Sequence, residues 1–365
     1  MRFKEFSGEW KKIRLGSIIE EIKTYTSDFN KYPLYSFTIE NGVTPKTDRY
    51  ERNFLVTKDG DTFKIVPPNS FVMNPMNLRF GAINYSKIKI PVSVSGYYNI
   101  FEIENGKNNE FWSAYFLTKT AINLYNSIAT GSLIEKKRVH FSQFIQLSFY
   151  IPSDVEKKKI SRFLQLIENR IAVQNKIIEA LVEQMNAIRD RIFSNVKGET
   201  VPLSEVISYE QPTPYIVKSD EYSYDVSLTP VLTANKAFIL GYTNEDEGIY
   251  RKGDAIIFDD FTLDLKYVDF PFKVKSSAIK ILSCRDKQVV RYAFEYLSFL
   301  GLSSSEHKRH YISEIAGKKI IVPEIHVVET ISSLFNSLEK RIRNETKIKE
   351  LMERQKKFFL NAMFI

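Results

Sequence analysis

Residues 152–193, PSDVEKKKISRFLQLIENRIAVQNKIIEALVEQMNAIRDRIF, and residues 323–364, PEIHVVETISSLFNSLEKRIRNETKIKELMERQKKFFLNAMF, are two copies of one pattern. Adding 171 to a number in the first copy gives its counterpart in the second without a gap. Pro152 goes to Pro323, Ile160 to Ile331, Arg170 to Arg341, Ile171 to Ile342, Gln184 to Gln355 and Phe193 to Phe364. Self-similarity held at a fixed shift marks a duplicated structural unit. Apolar residues recur at steps of three and four in the first copy: Ile160, Leu164, Ile167, Ile171, Ile178, Leu181, Met185, Ile188 and Ile192. A heptad seam of this length predicts a long helix that buries its stripe against another helix. About 40 residues at a rise of about 1.5 Å make a rod of roughly 60 Å.

The second stripe, Ile331, Leu334, Leu338, Ile342, Ile348, Met352, Phe359 and Met363, is interrupted by polar residues. The seam position that is polar in both copies is Gln174 and its counterpart Glu345. An antiparallel pairing about a pseudo-two-fold axis makes facing residue numbers sum to about 519, the sum of 174 and 345. That register sets Ile171 against Ile348, Ile167 against Met352, Leu181 against Leu338 and Ile188 against Ile331, with the polar layer at the axis. The repeat also continues upstream. Ser132, Glu135, Lys137 and Arg138 map to Ser303, Glu306, Lys308 and Arg309 under the same shift.

Around these rods the 365 residues leave room for two domains with their own cores. A net charge of +8 fits a polyanionic partner without proving one. The single cysteine, Cys284, excludes an internal disulfide, and no apolar run approaches the roughly 18 residues of a membrane span. With no signal peptide at the start, a cytoplasmic protein is expected.

Each rod is preceded by a β-rich head. In the first, strands are expected at 32–39, 63–66, 70–73 and 99–103, then a helix at 110–126. In the second, strands are expected at 230–233, 238–242, 254–258 and 277–282, then a helix at 287–300. Short amphipathic lead-ins, 10–20 and 200–208, align at a shift of 188. The second head is therefore about 17 residues shorter. The fold class is α+β: two globular β-rich heads separated by two long antiparallel coiled-coil helices, with a pseudo-two-fold internal repeat. A chain that keeps two copies of a scaffold while its heads diverge is suited to presenting two different recognition surfaces.

The stretches along both rods, with Thr229 to Leu240, Phe258-Asp259-Asp260-Phe261-Thr262, Lys275-Ser276-Ser277-Ala278 and, in the first head, Asn74-Pro75-Met76-Asn77-Leu78-Arg79-Phe80-Gly81 and Val94-Ser95-Gly96-Tyr97-Tyr98, resemble the specificity subunits of type I restriction-modification enzymes. The resemblance covers essentially the whole chain. It implies target-recognition domains at 1–151 and 197–322, a central long helix at 152–196 and a C-terminal long helix at 323–365. It also implies a non-catalytic subunit without a cofactor of its own. Each head would read one half of a bipartite double-stranded DNA target while the helices set the gap. Two methyltransferase subunits using S-adenosylmethionine would dock on it, and a restriction or translocase subunit would be a further partner. Half-sites on one face of B-DNA lie about 34 Å apart.

Phosphate anchoring calls for Lys, Arg or small polar groups, and base reading for side chains that reach groove edges. The repeated basic loops supply Ser132, Lys136, Lys137 and Arg138 in one head and Ser303, Lys308 and Arg309 in the other as anchors. Asn74, Asn77 and Arg79 suit bases, since Asn pairs with adenine and Arg with guanine, and Tyr97 and Tyr98 suit the groove wall. In the second head the candidates are Thr233, Asn235, Lys236, Tyr242, Thr262, Lys266, Lys275 and Ser276. Each also reads as an ordinary surface or turn residue.

Enzyme readings fare less well. Asn74-Pro75-Met76-Asn77 only imitates an amino-methyltransferase motif and has no glycine-rich cofactor turn before it. Asp259, Asp260, Asp264 and Lys266 are spaced too tightly for the usual nuclease arrangement. The four histidines come with neither metal-ligand nor triad spacing. The rival from another class is a coiled-coil interaction scaffold whose heads bind proteins.

Overall fold

In this computed structural model the described residues are 1–39, 41–45, 63–132, 137–233, 238–284, 286–302 and 315–364. They fall into two compact units, residues 1–173 with 349–365, and residues 174–348. In chain order the first 193 residues form β1 (Lys11–Arg14), β2 (Ile19–Ile22), β3 (Tyr25–Thr26), β4 (Tyr35–Thr38), β5 (Gly42–Pro45), β6 (Phe63–Val66), β7 (Phe71–Met73), β8 (Ile83–Tyr85), β9 (Val92–Ser95), β10 (Asn99–Ile103), α1 (Asn109–Phe116), α2 (Lys119–Ile128), α3 (Phe141–Phe144), β11 (Ser148–Ile151) and α4 (Asp154–Phe193). There follow β12 (Glu199–Pro202), α5 (Leu203–Val206), β13 (Ser208–Glu210), β14 (Thr229–Leu232), β15 (Ile239–Thr243), β16 (Ala255–Asp259), β17 (Leu265–Val268), β18 (Lys273–Val274), β19 (Ile279–Ser283), α6 (Lys287–Phe299), β20 (Lys319–Val322) and α7 (Ile325–Met363).

Both units use the same frame. The first strand of each pairs antiparallel with the strand that precedes its long helix: Lys11 faces Ile151 in β1–β11, and Glu199 faces Val322 in β12–β20. A four-stranded sheet follows, β2-β10-β7-β8 in one unit and β13-β19-β16-β17 in the other. Its inner strands are apolar on both faces, as in Phe71-Val72-Met73 and Ala255-Ile256-Ile257-Phe258, because each is covered on two sides. Each head has a second, three-stranded sheet, β3-β6-β9 or β15-β14-β18, and the first head also holds the β4-β5 pair.

The long helices begin and run as the heptad pattern requires. Asp154 and Glu156 occupy the first turn of α4, where they complement the helix dipole. In the first unit Ile160 and Leu164 of α4 share a core with Met363 and Phe364, Phe163 meets Phe359 at 5.0 Å, and Glu168 meets Lys356 at 2.9 Å. In the second unit Gln174 donates to the Glu345 carboxylate at 2.6 Å and to its backbone oxygen at 3.1 Å, while Ile188, Ile331 and Leu338 share a core. Numbers rise along one helix as they fall along the other, so the pairing is antiparallel within each unit. The polar seam layer is formed by the two residues the repeat singles out.

Two details go beyond the sequence pattern. Residues 10–20 fold as strand, 3-10 turn and strand, because Ile13 pairs with Phe149 and Ile19 with Ile103. The helix expected at 110–126 is divided: Thr118 adopts extended backbone and its hydroxyl caps α2 by accepting from Ala121 N at 3.2 Å. Among the described residues no helix is long and apolar enough to cross a membrane.

Candidate nucleic-acid interface

In the first unit the polar candidates gather where β7 ends. Past Met73 the chain turns sharply, and Asn74 Oδ1 makes the turn by accepting from the amides of Met76 and Asn77 at 3.1 and 3.4 Å. Leu78, fully buried, pins the following 3-10 turn to the core. Asn77 stays exposed, and the Arg79 guanidinium lies 5.2 Å from the Phe80 ring centre. So Asn74 shapes the loop, whereas Asn77 and Arg79 are the groups it presents.

The basic loop is tied to the same place. Val139 N donates to Pro75 O at 2.9 Å, and Thr130 and Arg138 exchange backbone hydrogen bonds, both 2.9 Å. Met76, Thr130, Gly131, Ser132, Arg138 and His140 line one hollow. Ser132 and Arg138 are exposed and Lys137 half-buried; Lys136 lies outside the described residues. A hollow with a guanidinium, an imidazole and two hydroxyl-bearing residues suits a phosphate oxygen. The sequence reading missed His140 and Met76; the nearness of Pro75 to Val139 is a tertiary fact with no local signal.

Tyr97 and Tyr98 occupy the β9–β10 turn. Because Asn99 faces Met73 across the β7–β10 pair, this turn emerges at the same sheet end as Asn74. Tyr97 is 43% exposed. Tyr98 instead packs edge-on to Phe37 at 5.7 Å, its carbonyl accepts from Lys64 Nζ at 2.8 Å, and burial raises its phenol pKa. The Lys64 ammonium is itself pushed down by burial. Tyr97 is the outward member of the pair.

In the second unit four candidates converge. Lys275 N donates to Leu232 O at 2.9 Å, which sets Lys275 and Ser276 beside Thr233 at the end of β14. Asp260 N donates to Ala278 O at 3.2 Å, bringing in the β16–β17 turn that exposes Thr262. That turn is built by Asp259, whose Oδ1 accepts from Phe261 and Thr262 amides at 2.8 and 3.0 Å. Buried Lys280 lies 3.6 Å from Asp260 and donates to the Tyr209 hydroxyl at 2.9 Å. The acids of this turn are thus spent on holding it. Lys275 carries a partner already: its ammonium contacts Asp220, which raises its pKa.

Two candidates stand apart. Tyr242 faces Pro230 at the start of β14, about 10 Å of strand from Thr233, beside Val226, Arg251 and Phe270. Lys266 is exposed on the edge strand β17, opposite Ile257. Asn235, Lys236, Ser303, Lys308 and Arg309 lie outside the described residues. Among those described, no group of three or more His, Cys, Asp or Glu could hold a metal ion.

Residues 7–183 match the family model of the type I restriction modification DNA specificity domain. The type I restriction enzyme EcoR124I/EcoR124II specificity subunit of Escherichia coli is 48% identical over 140 residues, which cover 37% of this chain and 34% of that protein. The match thus spans about a third of the relative's length. The S subunit of a type I restriction-modification system from M. genitalium has a similar fold, with a TM-score of 0.60 and 12% identity over 100% of this chain and 99% of that one. A chain from a structure of type I R-M system assembly gives a TM-score of 0.57 and 12% identity over 98% of this chain and 97% of that one. At such identity the likeness is one of fold.

Proposed function

We propose that this chain, whose residues 7–183 belong to the type I restriction modification DNA specificity domain family, is the sequence-reading subunit of a type I restriction-modification enzyme. One observation carries the reading: on the same strand frame, the two units present different side chains at their sheet ends. Asn77, Arg79 and Tyr97 stand in one, Thr233, Thr262, Lys275 and Ser276 in the other. A repeated frame with unlike edges suits two unlike half-sites. Ser132, Lys137 and Arg138 anchor phosphates in the first head, with Ser303, Lys308 and Arg309 as their counterparts in the second.

The subunit is non-catalytic and holds no cofactor. The long helices set the gap between half-sites and offer docking surfaces to two methyltransferase subunits, which bring S-adenosylmethionine; a restriction subunit joins the same assembly, in the cytoplasm. A protein-binding scaffold would share the helices, but it gives no reason for an Asn and Arg loop beside a hollow lined by Arg138 and His140.

The test is to co-express the chain with a type I methyltransferase subunit in a methylation-free host and map modified adenines by single-molecule sequencing. A split, asymmetric motif that vanishes when this chain is omitted is expected. A stable complex of the two proteins that marks no motif would overturn the reading.

A further inference from the structure

Lys275 stands at the sheet end that carries Thr233 and Ser276, yet its ammonium is already in contact with the Asp220 carboxylate and lies 5.5 Å from the Tyr222 ring centre. The segment bearing Asp220 is clamped on both sides. Before it, the amides of Lys218 and Ser219 donate to Glu245 at 2.9 and 3.1 Å, and Glu245 pairs with buried Lys273 at 2.8 Å. After it, Ser223 and Tyr242 exchange backbone hydrogen bonds of 2.8 and 3.0 Å. Tyr222 packs so closely on Gly241 that a Cβ there would stand 2.5 Å from the Tyr222 Cβ. The contact is therefore built by the fold, while the Asp220 side chain itself is 86% exposed and easily displaced. Residues 219–228 hold three acids, Asp220, Glu221 and Asp225, and no basic residue.

We propose that Asp220 is a specificity-determining residue, a carboxylate that occupies the phosphate position at Lys275. The proposal rests on the DNA-reading function above. A free lysine strengthens binding to any duplex, because each neutralised phosphate releases counterions. A lysine neutralised within the chain gives no such gain on random sequence. Only where the rest of the edge fits closely does a phosphate displace the carboxylate, which then turns into solvent. The acidic segment lowers non-specific affinity more than specific affinity.

Asp220→Asn tests this in the full chain purified with its methyltransferase subunit. Dissociation constants are measured by fluorescence anisotropy from 50 to 200 mM salt on a duplex carrying the mapped motif and on a scrambled duplex. On the scrambled duplex D220N is expected to bind more tightly, with a slope of log affinity against log salt steeper by about 0.9, or about 3.5-fold more affinity lost over that range. On the motif the gain is smaller, so discrimination falls. D220N/K275A should behave as K275A. Unchanged or weaker scrambled-duplex binding by D220N, or a D220N gain that survives removal of Lys275, would overturn the proposal. Salt-independent binding by the wild-type assembly would instead defeat the DNA-reading function, and the proposal with it.

Discussion

The two units fasten their heads to the long helices by different chemistry. In the first the seat is aromatic: Phe364 lies 4.7 Å from Tyr115 and 5.3 Å from Phe111, and Trp112 is fully buried beside them. The second keeps the equivalent aromatic, Phe193, 5.2 Å from Tyr296, but adds charge. Arg189 meets the fully buried Glu295 at 2.8 Å, Glu295 meets Arg291, and Arg291 reaches Glu339, which Arg343 joins at 2.8 Å before contacting Asp269. Under the 171-residue shift Arg189 corresponds to Leu360, which packs on the apolar core of the first unit. One frame therefore accepts an apolar or a charged residue at the same position of its long helix. Apolar area is forgiving of geometry, whereas a buried ion network must be complete.

The largest effects should come from attacking each seat in its own terms. Trp112→Ala is expected to cost about 3–5 kcal/mol through the cavity it leaves. Glu295→Ala should cost a similar amount, about 3–5 kcal/mol, by leaving Arg189 and Arg291 without their buried partner. Both tryptophans, Trp10 and Trp112, lie in the first unit. Urea unfolding followed by tryptophan fluorescence should thus leave E295A near wild type, while circular dichroism shows its early transition. Making both members apolar, as R189L/E295L, should cost less than Glu295→Ala alone because Arg189 is no longer left without a partner; an equal or larger loss would mean the network does more than fill space.

Acid should widen the contrast. In the second unit Glu245 is held below its usual range by the hydrogen bond from Lys273, and Asp225 by the Ser227 amide. A depressed carboxylate contributes stability above its unfolded value, about 4.3 for Glu, and loses it as pH falls through the lower folded value. Glu245→Gln should flatten that acid limb in a pH series of melts, and the tryptophan signal of the first unit should hardly move.

The smallest effect expected is at the seam. Gln174→Glu sets a second carboxylate against Glu345 and should cost about 1 kcal/mol at neutral pH, recovering on acidification. A variant as stable as wild type at pH 7 would show that the hydrogen bond contributes little.

Much of this architecture is written in short-range pattern. The heptad spacing and the shift of 171 lead directly to α4, α7 and the Gln174–Glu345 layer. The strands β1 and β2 are less legible, because Ile13, Leu15, Ile18 and Ile19 suit a helix face as well as alternation, and only the partners Phe149 and Ile103 decide. The break at Thr118 is hidden because apolar residues continue on both sides of it. At the interface, residue type suggested Tyr98, yet its ring is claimed by Phe37. Lys275 finds its carboxylate 55 residues away, a contact no local rule announces.

The pairing of β1 with β11 and of β12 with β20 has a consequence for inheritance. Each head leaves and re-enters the frame on neighbouring strands, which run about 4.8 Å apart. Between Arg14 and Ser148 lie 133 residues, and between Pro202 and Lys319 only 116, yet the two doorways have the same form. A stretch of gene can therefore be exchanged, lengthened or trimmed between two crossover points a few codons wide, provided the incoming head also fits the helix seat beneath it.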